Sequence, residues 1–190
     1  MRRQFIPIYE YLTYDGRSSL DFGVRISGLE TYGAPEKDVE KFEVAGRNGE
    51  LTFDNGRYKN KPEPYACFIV DDFESNITAF RNWLLKDSEY HRLEDTYHPD
   101  EYRMAKFTGP FDPEVWMNEA GRFEIEFSRM PQRWLKSGEK AIHITHADGA
   151  VKLFNPTLMV AKPKIVVTSG TGEIAVNGVY MTLSANNGGT

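Results

Sequence analysis

Cysteine is almost missing from this sequence. A lone Cys67 among 190 residues excludes an internal disulfide, and its place in the apolar run Tyr65-Ala66-Cys67-Phe68-Ile69-Val70 reads as a small buried hydrophobe. No run approaches the roughly 20 apolar residues that cross a bilayer as a helix. The amino terminus, Met1-Arg2-Arg3-Gln4-Phe5-Ile6-Pro7, leads into tyrosines and a glutamate instead of the apolar core of a signal peptide. No membrane partner is therefore expected, and assembly is expected in the cytoplasm. Positive charge is in deficit: 23 Lys and Arg face 28 Asp and Glu, a net charge of -5. That balance excludes tight, sequence-independent nucleic-acid binding, which grows with the number of cations presented to phosphate. Collagen-like, coiled-coil and low-complexity classes are excluded by a content of 40% hydrophobic and 13% aromatic residues. A chain of this length buries about 70% of its unfolded surface and needs no disulfide to hold a core.

What is present is period-two alternation. Arg122-Phe123-Glu124-Ile125-Glu126-Phe127-Ser128 puts Phe, Ile and Phe on one face and polar groups on the other, a strand with one wet side. Residues 22–27 repeat the pattern, and 65–70, apolar on both faces, read as a central strand. Leu51-Thr52-Phe53 runs into Asp54-Asn55-Gly56, whose Asn-Gly pair accepts positive φ, so 51–58 reads as a tight hairpin. Further strands are expected at 39–44, 102–107, 141–147, 164–168, 173–176 and 179–183. Asp148-Gly149 and Asn177-Gly178 supply turns between them.

One segment has helical spacing. Ile77, Phe80 and Leu84, with Trp83 beside them, form an apolar stripe on a helix expected over 76–86, capped by Ser75 and ended by Lys86. These four apolar residues are assigned to core packing. The composition changes after Met130-Pro131: Trp83, Trp116 and Trp134 all lie before 140, and the rest is rich in Val, Ile, Thr, Gly and Asn. The expected organisation is a first domain over 1–132, a linker over 133–139 and a smaller β module over 140–190. The fold class is mainly β with one α-helix.

The chemistry-bearing residues do not form a reaction centre. His143 and His146 sit three apart on an expected strand, which turns their rings to opposite faces and prevents a shared metal. His91 and His98 flank acidic residues within the stretch 89–101, which lacks the Asp-x-Asp pattern of a calcium loop and reads as a solvated connection. Asp71, Asp72 and Glu74 precede the helix, where its dipole favours carboxylates, while Glu124 and Glu126 lie on the wet face of a strand. Gly170-Thr171-Gly172 lacks the strand-to-helix setting of a nucleotide loop. No Gly-x-Ser-x-Gly, P-loop or Cys/His nucleophile arrangement occurs. The expectation is a protein that is not an enzyme, with no cofactor and no metal.

Phe42-Glu43-Val44-Ala45-Gly46-Arg47-Asn48-Gly49-Glu50-Leu51 resembles a segment of the distal tail proteins of long, flexible-tailed bacteriophages. That family often carries a strand, then Gly-Arg-Asp/Asn-Gly-x-Leu, a small-residue turn and a tyrosine, matched by Asn55-Gly56 and Tyr58. A helix ending in Trp83-Leu84 follows. Leu93, Asp100, Tyr102 and Ala105 match a leucine, acidic loop and Tyr-x-x-Ala strand, and Gly121, Phe123, Ile125, Phe127 and Pro131 match the close. Asn48 stands where aspartate is commoner, a replacement the turn tolerates. The resemblance covers residues 20–132.

The resemblance implies a tail-tube-like β-sandwich plus helix, followed by a galectin-like β module that this chain carries only in part. It implies a structural protein of the virion tail, a homo-hexameric hub ring between the tail tube protein and the tail tip or baseplate proteins. Duplex DNA would cross its central channel without specific binding, and an acidic lumen would repel phosphate and let it slide. Gly46, Arg47, Asn48, Gly49, Phe53 and Tyr58 are the expected subunit contact, because Phe53 and Tyr58 project from a glycine-flanked hairpin and a ring pairs strand edges that a monomer leaves open. The second reading is a carbohydrate-binding β-sandwich for host receptor recognition, with Trp116 as the stacking residue.

Overall fold

The computed structural model describes residues 10–27, 33–69, 72–116, 120–144, 151–157, 159–168, 171–176 and 178–183, with the side chains of Val115 and Trp116 excepted. It divides into two units, 1–142 and 143–190. In the first, β1 (Leu12–Tyr14) and β2 (Arg17–Ser18) form a tight hairpin, and a 3-10 turn at Ser19–Phe22 leads into β3 (Val24–Ser27). Then come β4 (Lys37–Glu43), β5 (Glu50–Tyr58), β6 (Lys61–Ile69), helix α1 (Phe73–Leu84), β7 (His91–Asp95), β8 (Glu101–Phe107), β9 (Glu114–Trp116), β10 (Ala120–Arg129) and β11 (Trp134–Leu135).

Nine of these strands make one antiparallel sheet in the order β2-β1-β7-β8-β10-β6-β3, with β9 beside β10 and β11 beside β8. The sheet curls into two facing layers. Tyr14 of β1 packs on Phe127 of β10 with ring centroids 4.9 Å apart, although the two strands are not neighbours in the sheet. The curl brings the far edges together, so that the Ile26 amide of β3 donates to the Glu10 carbonyl just before β1 at 2.9 Å.

Alternation explains the layers. Phe123, Ile125 and Phe127 point into the core from β10, Tyr65, Cys67 and Ile69 from β6, and Leu93, Ala105 and Phe107 from β7 and β8. Their neighbours Arg122, Glu124 and Glu126 stay exposed. Helix α1 lies on this core through Phe73, Ile77, Phe80, Trp83 and Leu84, all buried. Phe80 packs edge-on against Phe22 and Phe123, and Trp83 stacks on Phe22 at 5.0 Å.

Several expectations need correction. The helix begins at Phe73 rather than near Ser75, and its cap is Asp72, which has a left-handed backbone and makes no side-chain capping bond. The reason is tertiary: Phe73 closes over Gly121, where a Cβ would stand 1.9 Å from the phenyl ring. The stretch around His91, expected as a solvated loop, contains β7, because Leu93 and Asp95 alternate inward and Asp95 meets a buried cation. Within 133–139, β11 at Trp134–Leu135 runs into a 3-10 turn at Lys136–Glu139, with Trp134 stacked on Tyr102 at 5.6 Å.

In the second unit, β12 (Gly172–Val176) and β13 (Val179–Leu183) form an antiparallel hairpin turning at Gly178, as expected for 173–176 and 179–183. Residues 141–142 of the first unit, and 143–144 and 164–168 of the second, enter no strand ladder, against expectation; 145–147, with His146, and the turn Asp148-Gly149 lie outside the described residues, as do Asp71 and Gly170. The β-branched run of 164–168 has no strand beside it among the described residues, and a strand is defined by its partner.

Candidate subunit interface

Among the described residues β4 and β5 pair only with each other. The ribbon is part of no other sheet, and β5, at 9 residues, extends roughly 30 Å at about 3.4 Å per residue. Its turn is the segment 44–49, where Gly46 and Gly49 take φ of 80° and 86° and the Arg47 amide donates to the Val44 carbonyl at 3.2 Å. Only residues that tolerate left-handed backbone fit these two places.

The expected turn at Asn55-Gly56 is instead a bulge inside β5. Lys37 pairs with Tyr58 and Val39 with Asp54, so Asp38 alone opposes Asn55, Gly56 and Arg57. The Asn-Gly signal was sound in its backbone chemistry: Gly56 has φ of 71°, and its amide donates to the Asp54 carboxylate at 2.9 Å. That bond, with Lys37 at 3.0 Å, holds the Asp54 carboxyl below its ordinary range. Arg57 does the same for Asp38 at 2.6 Å. These exposed bonds fix the base of the ribbon.

The register gives the ribbon two unlike faces. Phe42 pairs with Leu51 and Glu40 with Phe53, so Phe42, Leu51 and Phe53 share one side with Glu40. Lys41, Glu43, Glu50 and Thr52 share the other, where Lys41 reaches Glu50 at 3.0 Å. The apolar side is uncovered: Phe42 is 52% exposed, Leu51 41% and Phe53 62%, with Val44 at 43%. A two-stranded ribbon is marginal in water by itself and takes its stability from a surface that covers its apolar face.

Of the residues expected here, Gly46, Arg47, Asn48 and Gly49 gather at the ribbon tip and Phe53 lies on its apolar face. Tyr58, 40% exposed, is at the opposite end beyond the bulge and does not join them. Phe42 and Leu51 escaped sequence reasoning. Centring the turn on 46–47 instead of 55–56 would have revealed them, since that register pairs Phe42 with Leu51. Trp116 has its backbone opposite Ala120, and its side chain lies outside the described residues. His143 is exposed, while His91 sits between Asp15 at 3.1 Å and Asp87 at 2.7 Å.

No protein-family model matches the chain. No curated protein sequence matches it either. Among solved structures it is similar to the Dit (gp 19.1) protein of SPP1, with a TM-score of 0.55 and 11% sequence identity. The likeness covers 67% of this chain and 53% of that one, so the chain spans about half the length of the SPP1 protein. At this identity the likeness is one of fold: a mainly β protein with a curled sheet and one helix.

Proposed function

We propose that this chain is a structural component of a bacteriophage tail, a distal-tail-type subunit that assembles side by side into a hub ring. The observation that carries the reading is the β4–β5 ribbon, whose apolar side of Phe42, Leu51 and Phe53 stays 41–62% exposed and meets no strand among the described residues. The three side chains are about half exposed, so covering them contributes roughly half of the 1.5–3 kcal/mol that full burial of each would, a gain that favours association between copies. The fold supports the same reading, since the similar SPP1 protein is described as a paradigm of the hub adsorption apparatus in phages that infect Gram-positive bacteria.

In this reading six copies close a ring between the tail tube and the tip or baseplate proteins, in the virion tail, after assembly in the host cytoplasm. The net charge of -5 per subunit gives a six-fold assembly a strongly negative field, through which DNA passes without adhering. Its role is mechanical, with no catalysis, cofactor or metal.

Replacing Phe53 and Tyr58 together with serine tests it. Self-association measured by sedimentation should fall while the circular dichroism of the subunit is kept, because these side chains pack on no core. A parallel Phe42→Ser, Phe53→Ser variant should weaken it further, since both residues lie on the apolar side. Assembly unchanged in both variants would remove the ribbon from the interface.

A further inference from the structure

The proposed ring requires a surface to receive the ribbon, and this inference rests on that reading. The outer face of β6 and β10 has the complementary pattern. From β6 it presents Pro62, Pro64, Ala66 and Phe68, a narrow strip of which the last three are half-buried without covering the core. The register sets Glu126 opposite Pro64, Glu124 opposite Ala66 and Arg122 opposite Phe68. Glu124 and Glu126 enter no ion pair with any described residue, nor does Arg122, although Glu114 stands opposite it on β9.

The prolines decide how a partner approaches. Among the described residues β3 pairs with β6 at residues 66–69, and the chain is again beside β6 at Gly33, where a Cβ would stand 2.5 Å from the Lys61 ammonium. Pro62 and Pro64 offer no N–H, so a strand of another copy finds no donor at these two positions. A partner is directed to the face.

We propose that the ribbon of one copy lies, apolar side down, on the β6–β10 face of the next copy, in a single register. Phe53 meets Phe68, Leu51 meets Ala66, and the tip runs toward Pro62. Two charge matches of opposite sign then fall into place. Arg47, which has no ion pair with any described residue, reaches Glu126, and Glu40, on the ribbon side shared with Phe53, faces the partner subunit's Arg122. Turning the ribbon end for end would set Arg47 toward Arg122 and Glu40 toward Glu126, two repulsions. The contact is head to tail, each copy giving a ribbon and receiving one, the arrangement that closes a ring. It packs sheet on sheet across the subunit boundary, at the roughly 10 Å separation that side chains of this size fill.

The native thiol does not interfere with a cross-linking test, because Cys67 is buried and burial pushes its ionisation well upward. Full-length Leu51→Cys, Ala66→Cys protein is oxidised at assembling concentration, with each single variant as control. The expected result is a ladder of covalent oligomers in the double variant and none in the singles. In parallel, Arg47→Glu should weaken self-association roughly tenfold, on the scale of one lost charge pair, and Glu126→Arg added to it should restore assembly.

Covalent dimers from Leu51→Cys alone would show ribbons facing ribbons and overturn the assignment. So would assembly that persists with no 51–66 link and no response to either charge reversal, provided Phe42→Ser, Phe53→Ser still abolishes it. In that case the ribbon remains an interface and only its receiving face is wrong. A parent protein that stays monomeric at every concentration overturns both this assignment and the ring itself.

Discussion

Asp95 and Arg103 carry opposite charges inside the sheet, both almost without solvent exposure. Arg103 donates to the Asp95 carboxylate, Tyr65 donates to the same group at 2.8 Å, and the His98 amide donates to its other oxygen at 2.9 Å. Burial by itself would raise the Asp95 pKa; the Arg103 charge and these hydrogen bonds outweigh it and hold the carboxyl below its ordinary value. Two consequences follow from charge and burial. Arg103→Leu leaves a buried carboxylate without its cation and should cost about 3–5 kcal/mol in urea unfolding. Because the folded-state pKa of Asp95 is depressed, its stabilisation is complete above the unfolded value of about 3.9 and is lost as pH falls through the folded one. Melting temperature should therefore drop with acidification below about pH 4, and the drop should be shallower in Asp95→Asn. An equal slope in the variant would show that other carboxylates govern acid unfolding, with Asp15 and Asp87, both depressed by Lys86 and His91, the first to examine.

At the scale of elements, the joint between helix and sheet depends on a missing side chain. Phe73 at the start of α1 lies over Gly121 on β10, so Gly121→Ala pushes a methyl into a buried ring. The ring sits among core residues and has little room to swing aside. The expected loss is about 1–3 kcal/mol, the range of overpacked cores, read as an earlier urea midpoint with unchanged slope. Phe73→Leu combined with Gly121→Ala should recover part of it, and failure to recover would place the strain elsewhere. The ribbon is governed differently: its hydrogen bonds are local and its apolar side faces outward, so its substitutions should move assembly and leave subunit unfolding in place.

For the whole molecule, a head-to-tail contact between identical subunits has two outcomes, a closed ring or an open filament, and the angle between neighbours decides which. Closure at six predicts one discrete oligomer in sedimentation and ring-shaped particles with a central hole in negative stain. A continuous series of sizes growing with concentration would mean that the contact does not close, and the hub role would fail with it.

Strands whose inward and outward residues alternate were legible without coordinates. The clearest are those expected at 122–128 and 102–107, which lie within β10 and β8, and at 65–70, of which 65–69 lie in β6; the buried side is written into the alternation, though Lys61 to Pro64 of β6 were not legible. Ile77, Phe80, Trp83 and Leu84 of α1 were legible for the same reason, since the 3.6-residue period fixes the buried side, whereas Phe73, before the expected start, was not. The tertiary structure alone decided the start of that helix, set by the fit of Phe73 over Gly121, and the existence of β7, whose charged residues look solvated until Arg103 is placed beside Asp95. It also decided the ribbon register. Asn55-Gly56 and Gly46-Gly49 both permit positive φ, and local chemistry cannot rank a turn against a bulge; the pairing of Phe42 with Leu51 does so by placing the apolar side chains on one side.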